Sequence, residues 1–176
     1  MPLTAEQAHF LLHNVFLPAL KNETRTTKKI LEAIPADKVS YQPDACAKTA
    51  DELLRHIAVA ENFFLEAPLN GAFDPGGVKI PDSAKTPAEV AVWYEQTVNR
   101  NLDALAKLSG EQLAKILDFR GLFQQEAVMF LSFGLVHGIH HRGQLSTYLR
   151  PMGSKVPAIY GESYDTAAAK KAAAQG

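Results

Sequence analysis

Apolar residues recur at helical spacing in four long stretches of this chain, and turn-forming residues separate them. The first stretch opens at Thr4, with Gln7 three residues on, the pattern of a capping box. It predicts a helix to Ile34, just before Pro35, with Phe10, Leu11, Val15, Leu17, Leu20 and Ile30 as its apolar surface. Pro18 lies inside it and predicts a kink or local break. The second opens at Thr49 with Glu52 and is predicted to end near Glu66, before Pro68. Leu53, Ile57, Ala60 and Phe64 form its stripe, and His56 belongs to the same face. The third opens at Thr86 with Glu89 and has Pro87 at its first position. Val90, Tyr94, Val98, Leu102 and Leu105 line one side, and the helix is expected to end near Leu108. Ser109 to Gln112 then predicts a short extra helix near 109–116, followed by a turn over Asp118 to Leu122.

The fourth stretch, Phe123 to Leu149, has no proline and reads as one helix. Written as heptads, one seam carries Phe123, Phe130, His137 and Gln144. The other carries Ala127, Gly134, His141 and Tyr148, and both seams are expected to face a bundle interior. The connections differ in length. Pro35 to Lys48 reads as a loop with turn residues, and Pro68 to Thr86 is long enough to suggest a crossover or a lid. After Arg150-Pro151-Met152-Gly153 stops the last helix, Lys155 to Asp165 is irregular, with aromatic residues expected to pack back on the bundle. No stretch alternates with period two, so little or no sheet is expected. The pattern predicts an all-α four-helix bundle with a crossover connection, one domain over 1–165, and a low-complexity tail over 166–176.

His137 and His141 lie one turn apart on the interior face. Buried imidazoles are either neutral, hydrogen-bonded packing groups or ligands of a shared ion, and i, i+4 spacing lets both reach one ion. His56, inward on another helix, becomes a candidate third ligand. Three neutral imidazoles suit a divalent transition metal (zinc, nickel or iron) with coordination positions left for water or substrate. His140 competes with His141, but its heptad row holds Glu126 and Thr147 and reads as a flank. Gly134 and Gly138 leave space beside the pair, for close helix approach or ligand entry. Arg142 is expected to pair with a carboxylate, and Glu23 and Glu61 are candidate partners of the ligand histidines. Gln144 and Tyr148 line the cavity or pack in the core. His9 and His13 share the i, i+4 spacing but read as surface residues or as outer partners of a site, and Cys46, near a helix start, reads as a packing residue.

Composition narrows the partners. The chain has 176 residues, 47% of them hydrophobic, and a formal net charge of −1. That gives no electrostatic case for nucleic acid or an anionic membrane. The single cysteine fits a reducing compartment, the N-terminus lacks a signal-peptide pattern, and no apolar run is long enough to span a bilayer, so a cytoplasmic protein is expected. Walker A, dinucleotide-binding and nucleophile-elbow motifs do not occur, and the one Glu-x-x-His, Glu6 to His9, falls short of a di-iron set.

The run His137-Gly138-Ile139-His140-His141-Arg142-Gly143-Gln144-Leu145, with Leu149 to Gly153 after it, resembles the C-terminal helix of the DinB family. So do Leu54-Arg55-His56-Ile57 with Glu61, the ending Val156 to Gly161 and the order of helices. The resemblance covers nearly all the chain outside the low-complexity tail. It implies a four-helix bundle with a left-handed crossover, a divalent metal (nickel or zinc among others) on His56, His137 and His141, and a homodimer. Relatives include thiol-dependent transferases and isomerases using bacillithiol, mycothiol or glutathione, and many members have no known activity. The expectation is a metal-dependent S-transferase or hydrolase acting on a small-molecule substrate, with a low-molecular-weight thiol as co-substrate. The alternative is a non-catalytic stress-response or binding protein whose metal is structural or vestigial. A metal-free bundle with neutral core histidines is a third possibility.

Overall fold

Capping side chains set where five of the helices begin. In the computed structural model, which describes residues 2–74 and 76–175, the boxes at Thr4, Thr49, Thr86 and Ser109 all form, each with its partner three residues on. Ser163 caps a further helix in the same way. The elements are α1 (Ala5–Leu11), α2 (Leu17–Glu32), α3 (Ala50–Asn70), α4 (Pro87–Leu105), α5 (Gly110–Ala114), β1 (Ile116–Phe119), β2 (Phe123–Glu126), α6 (Met129–Leu149) and α7 (Tyr164–Ala173).

The break expected at Pro18 is a π-helical turn over Leu12–Phe16, which joins α1 to α2. Proline cannot donate a backbone hydrogen bond and its ring crowds the preceding turn, so a widened turn just ahead of it relieves both problems. The wider turn also rotates the buried face. Leu12 and Phe16 are buried there, whereas Phe10 and Val15, expected to supply apolar surface, are exposed. The second helix runs past its predicted end. Pro68 is buried inside α3, and the helix continues to Asn70, where Gly71 caps it in left-handed backbone (φ 67°). Only one bond near the helix end is lost there, which the burial of the ring offsets.

The fourth stretch is shorter than its periodicity implied. Phe123–Glu126 is a strand, not helix, and it pairs antiparallel with Ile116–Phe119. Phe119 faces Phe123 across the pair, with ring centroids 5.3 Å apart, and Asp118 Oδ2 accepts a hydrogen bond from the Gly121 amide at 2.6 Å. This hairpin also stands in for a cap on α6. Ala127 N–H donates to the Lys115 carbonyl (2.8 Å) and Val128 N–H to the Leu113 carbonyl (3.0 Å), so α6 starts at Met129 with no side-chain cap. The terminal residues form α7, held at its start by Asp165, which accepts from Val156 N–H and from Arg150.

Contacts between elements give the topology. His56, Glu61 and Phe64 of α3 meet His141, Gly138 and Gly134 of α6 in reverse order, so those helices are antiparallel. Arg55, Glu61 and Glu66 of α3 meet Ala84, Tyr94 and Asn101 in the same order, so α3 and α4 are parallel. Leu3, Glu23 and Ala33 likewise meet Glu126, Arg142 and Ser154, so α2 and α6 are parallel. The bundle therefore runs up, down, down, up, with α2 and α3 on one diagonal. Parallel neighbours need a connection that travels the length of the bundle, and the long second connection does this. Val90, Tyr94, Val98, Leu102 and Leu105 of α4 are all buried in the core with Leu53, Ile57, Leu131 and Leu145. No helix among the described residues is long and apolar enough to cross a membrane.

Candidate metal centre

The α3–α6 contact is tight because α6 presents glycine to it. A methyl group on Gly134 would come within 2.6 Å of Phe64 Cβ, and one on Gly138 would collide with Glu61 Oε1. The two glycines therefore serve close helix approach. That approach brings His56 of α3 against His137 and His141 of α6. Ring centroids are 5.0 Å (His56–His137), 4.5 Å (His56–His141) and 4.4 Å (His137–His141) apart. Each ring offers one nitrogen lying within 4.8 Å of the others, and the three residues are half-buried. No other group of three or more metal-ligating side chains occurs among the described residues.

The surroundings disfavour charge on two of the rings. Burial, then the charges of His141, His56 and His140, push His137 down to about 4. Burial and the same crowding by His141, with Lys48 beyond it, lower His56. Neutral imidazole is the form that donates a lone pair. Gln144 Oε1 lies 3.0 Å from His141 Nδ1, and an amide oxygen can only accept. Nδ1 therefore donates this bond and leaves Nε2 as the nitrogen that can face an ion, as when an outer partner orients a metal-bound histidine. His137 Nδ1 is buried with no hydrogen-bond partner. Three convergent imidazoles, one oriented by Gln144 and one with a buried nitrogen that has no partner among the described residues, fit a divalent transition metal.

The other singled-out residues sit apart from the three rings. His140 is exposed and leans on His141 at 4.8 Å, a flank as its heptad row suggested. His9 and His13 pack ring to ring at 4.3 Å on α1 and the π-helical turn. Cys46 is exposed in the α2–α3 loop, its N–H bonded to Asp44 Oδ1 rather than to the helix start. Tyr148 packs in the core, its hydroxyl on the Lys48 carbonyl at 3.2 Å. Arg142, 1% exposed, pairs with Glu23 at 2.5 Å and reaches Thr27 Oγ1 and the Tyr160 hydroxyl. Tyr160 in turn donates to Glu23 at 2.9 Å, so the C-terminal segment does pack back on the bundle. Glu61 accepts from the Tyr94 hydroxyl, and loss of water around its carboxyl group pushes it up to about 7. Neither carboxylate forms a hydrogen bond or ion pair with a cluster histidine.

Sequence reading missed the aromatic wall beside the cluster. Phe64 lies 5.8 Å from His137, and Phe133 5.0 Å from Phe64. Seven of the nine phenylalanines, at 63, 64, 73, 119, 123, 130 and 133, gather at this end of the bundle. Their crowding into positions 63–133 was the available signal.

Comparison with known proteins agrees with this architecture. The family model for the DinB family matches residues 6–173. The chain is 27% identical over 148 residues to the uncharacterized protein YjoA of Bacillus subtilis (strain 168), which covers 83% of this chain and 88% of that protein. A crystal structure of that DinB-like protein superposes with a TM-score of 0.70 at 24% identity, over 84% of this chain and 99% of that one. A DinB-like protein from Bacillus cereus ATCC 10987 gives a TM-score of 0.69 at 26% identity, over 82% and 95%. With its bundle, its three-histidine cluster and this match along nearly its whole length, the chain belongs to the DinB family.

Proposed function

We propose that His56, His137 and His141 hold a divalent transition metal, zinc, nickel or iron, and that the protein is a metal-dependent S-transferase or hydrolase acting on a small molecule. The observation that carries this reading is the convergence of three imidazoles from two helices, with ligand-capable nitrogens within 4.8 Å of one another. A metal held by only three protein ligands keeps positions for water or a thiol and lowers the pKa of either, which supplies a nucleophile near neutral pH. The protein's own contribution is to hold the rings. Gln144 orients His141, and the Gly134/Gly138 face keeps α3 close enough for His56 to join the pair. Phe64 packs against one side of His137. Exposed His140 meets His141 edge-on at the rim. The family resemblance supports a homodimer and a thiol co-substrate, and the single cysteine supports a reducing cytoplasm.

The test is metal analysis of protein purified without a His tag, followed by turnover assays with small thiols and electrophiles, or with hydrolysable esters. One bound metal per chain and activity that tracks occupancy support the reading. Bound metal that raises the melting temperature while no substrate is turned over would establish the structural role instead.

A further inference from the structure

The hairpin between α5 and α6 carries an arginine in an unusual setting. Arg120 has φ 55°, left-handed backbone that a side chain with a Cβ adopts at a cost. Its guanidinium carbon lies 5.3 Å from the ring centre of Phe63 and 5.9 Å from that of Phe119. It forms no ion pair with a carboxylate among the described residues. The acid nearest in sequence, Asp118, is already used: one oxygen accepts from Gly121 N–H and the other from the Gln124 amide. So a cation stands on two aromatic faces, with no partner for its hydrogen-bonding edge among the described residues.

An apolar floor leads from this arginine to the histidines. Phe119 touches Phe133 at 5.9 Å and Phe64 at 5.8 Å, and Phe64 touches His137 at 5.8 Å. Phe133, one turn before His137 on α6, is 40% exposed. The path from Phe119 to His137 runs through Phe64, itself only 4% exposed, in two ring-to-ring steps, roughly 10–12 Å, so the exposed apolar surface along it is that of Phe119 and Phe133. A guanidinium recognises a carboxylate through paired N–H donors, and exposed aromatic rings recognise an apolar body.

We propose that this face binds a small amphiphilic carboxylate, an aryl-alkanoic acid of about that length. Its carboxylate meets Arg120, its apolar body lies over Phe119 and Phe133, and its far end meets His56, His137 and His141. This names the substrate class of the site proposed above. It rests on that reading only for the chemistry at the far end, because the arginine and the rings bind without a metal.

The probe is 4-phenylbutyrate, with its neutral primary amide as control, titrated calorimetrically into the full chain with and without zinc. The carboxylate is expected to bind at least ~10-fold more tightly than the amide, the scale of a partly exposed charge-assisted hydrogen bond. Arg120→Gln should bring it down to the amide's affinity, and Phe133→Ala should weaken both. Arg120→Gly, which relieves the left-handed backbone, guards against misfolding and should lose the same preference. Equal affinity of carboxylate and amide, or an unchanged Kd in both Arg120 variants, overturns the proposal. So does failure of both probes together with a dimer in sedimentation velocity that Phe133→Asp dissociates, which makes the face a self-interface. Zinc titration reads the histidines separately. Zinc binding without probe binding sinks only this inference, and probe binding without zinc binding sinks only the metal reading.

Discussion

His137 is surrounded by groups that disfavour its charge: apolar neighbours, then two other cluster histidines and His140. Its folded pKa of about 4 lies below the ordinary 6.5, so the unfolded chain binds the extra proton more readily between those values. In metal-free protein this residue's contribution is present above about 6.5 and is lost as pH falls towards 4. Glu61 has the opposite sign. Raised from 4.5 to about 7, its contribution is full below 4.5 and is lost as pH rises through 7. Denaturant melts across pH 4–8 should therefore show stability rising more steeply between pH 4.5 and 7 in Glu61→Gln than in the parent. An E61Q variant with the parent's pH slope would contradict this assignment. Gln144→Ala should weaken zinc binding ~10-fold by freeing the His141 ring, and His137→Ala by more than ~100-fold, since losing a ligand exceeds the effect of an outer partner. Calorimetric zinc titration checks both. The three histidines were legible because spacing alone places His137 and His141 on two adjoining inward seams and His56 on the apolar stripe of another helix. The Gln144–His141 contact was not, since a polar seam residue reads equally well as core packing.

At the scale of elements, the α3–α6 seam makes a prediction whose sign goes against helix propensity. Replacing a mid-helix glycine by alanine ordinarily stabilises by ~0.5–1 kcal/mol. Gly134→Ala and Gly138→Ala should instead destabilise, by about 1–3 kcal/mol each, because the added methyl meets Phe64 Cβ or the Glu61 carboxylate across the seam. Chemical denaturation of each variant measures it, and a more stable protein would show that the helices can part without loss. The capped helices were readable because hydroxyl and carboxamide or carboxylate partners three apart act locally. The hairpin was not. Its strands have four residues each, its turn carries Arg120-Gly121 rather than a common turn pair, and Phe123 happens to extend the helical seam. Pro68 also misled, because a proline in a helix's last turn removes one bond while its ring adds to the core.

For the whole molecule, Arg142 joins three separate parts of the chain: α6, the Glu23–Thr27 turn of α2 and Tyr160 of the C-terminal segment. Glu23→Ala leaves that guanidinium buried and short of its charge partner, and should destabilise by ~3 kcal/mol or more in thermal or denaturant melts. With a formal net charge of −1, no duplex DNA binding is expected at physiological salt, and a salt-sensitive sub-micromolar gel shift would contradict this. His56 on α3 is separated in the chain from the His137–His141 pair on α6 by the long second connection, α4, α5 and the hairpin. An ion bound there would therefore act as a removable staple closing a loop of about 80 residues, the geometry in which a cross-link most restricts the unfolded chain. Loading it should slow protease nicking of the entire segment between α3 and α6, far from any residue that touches the ion.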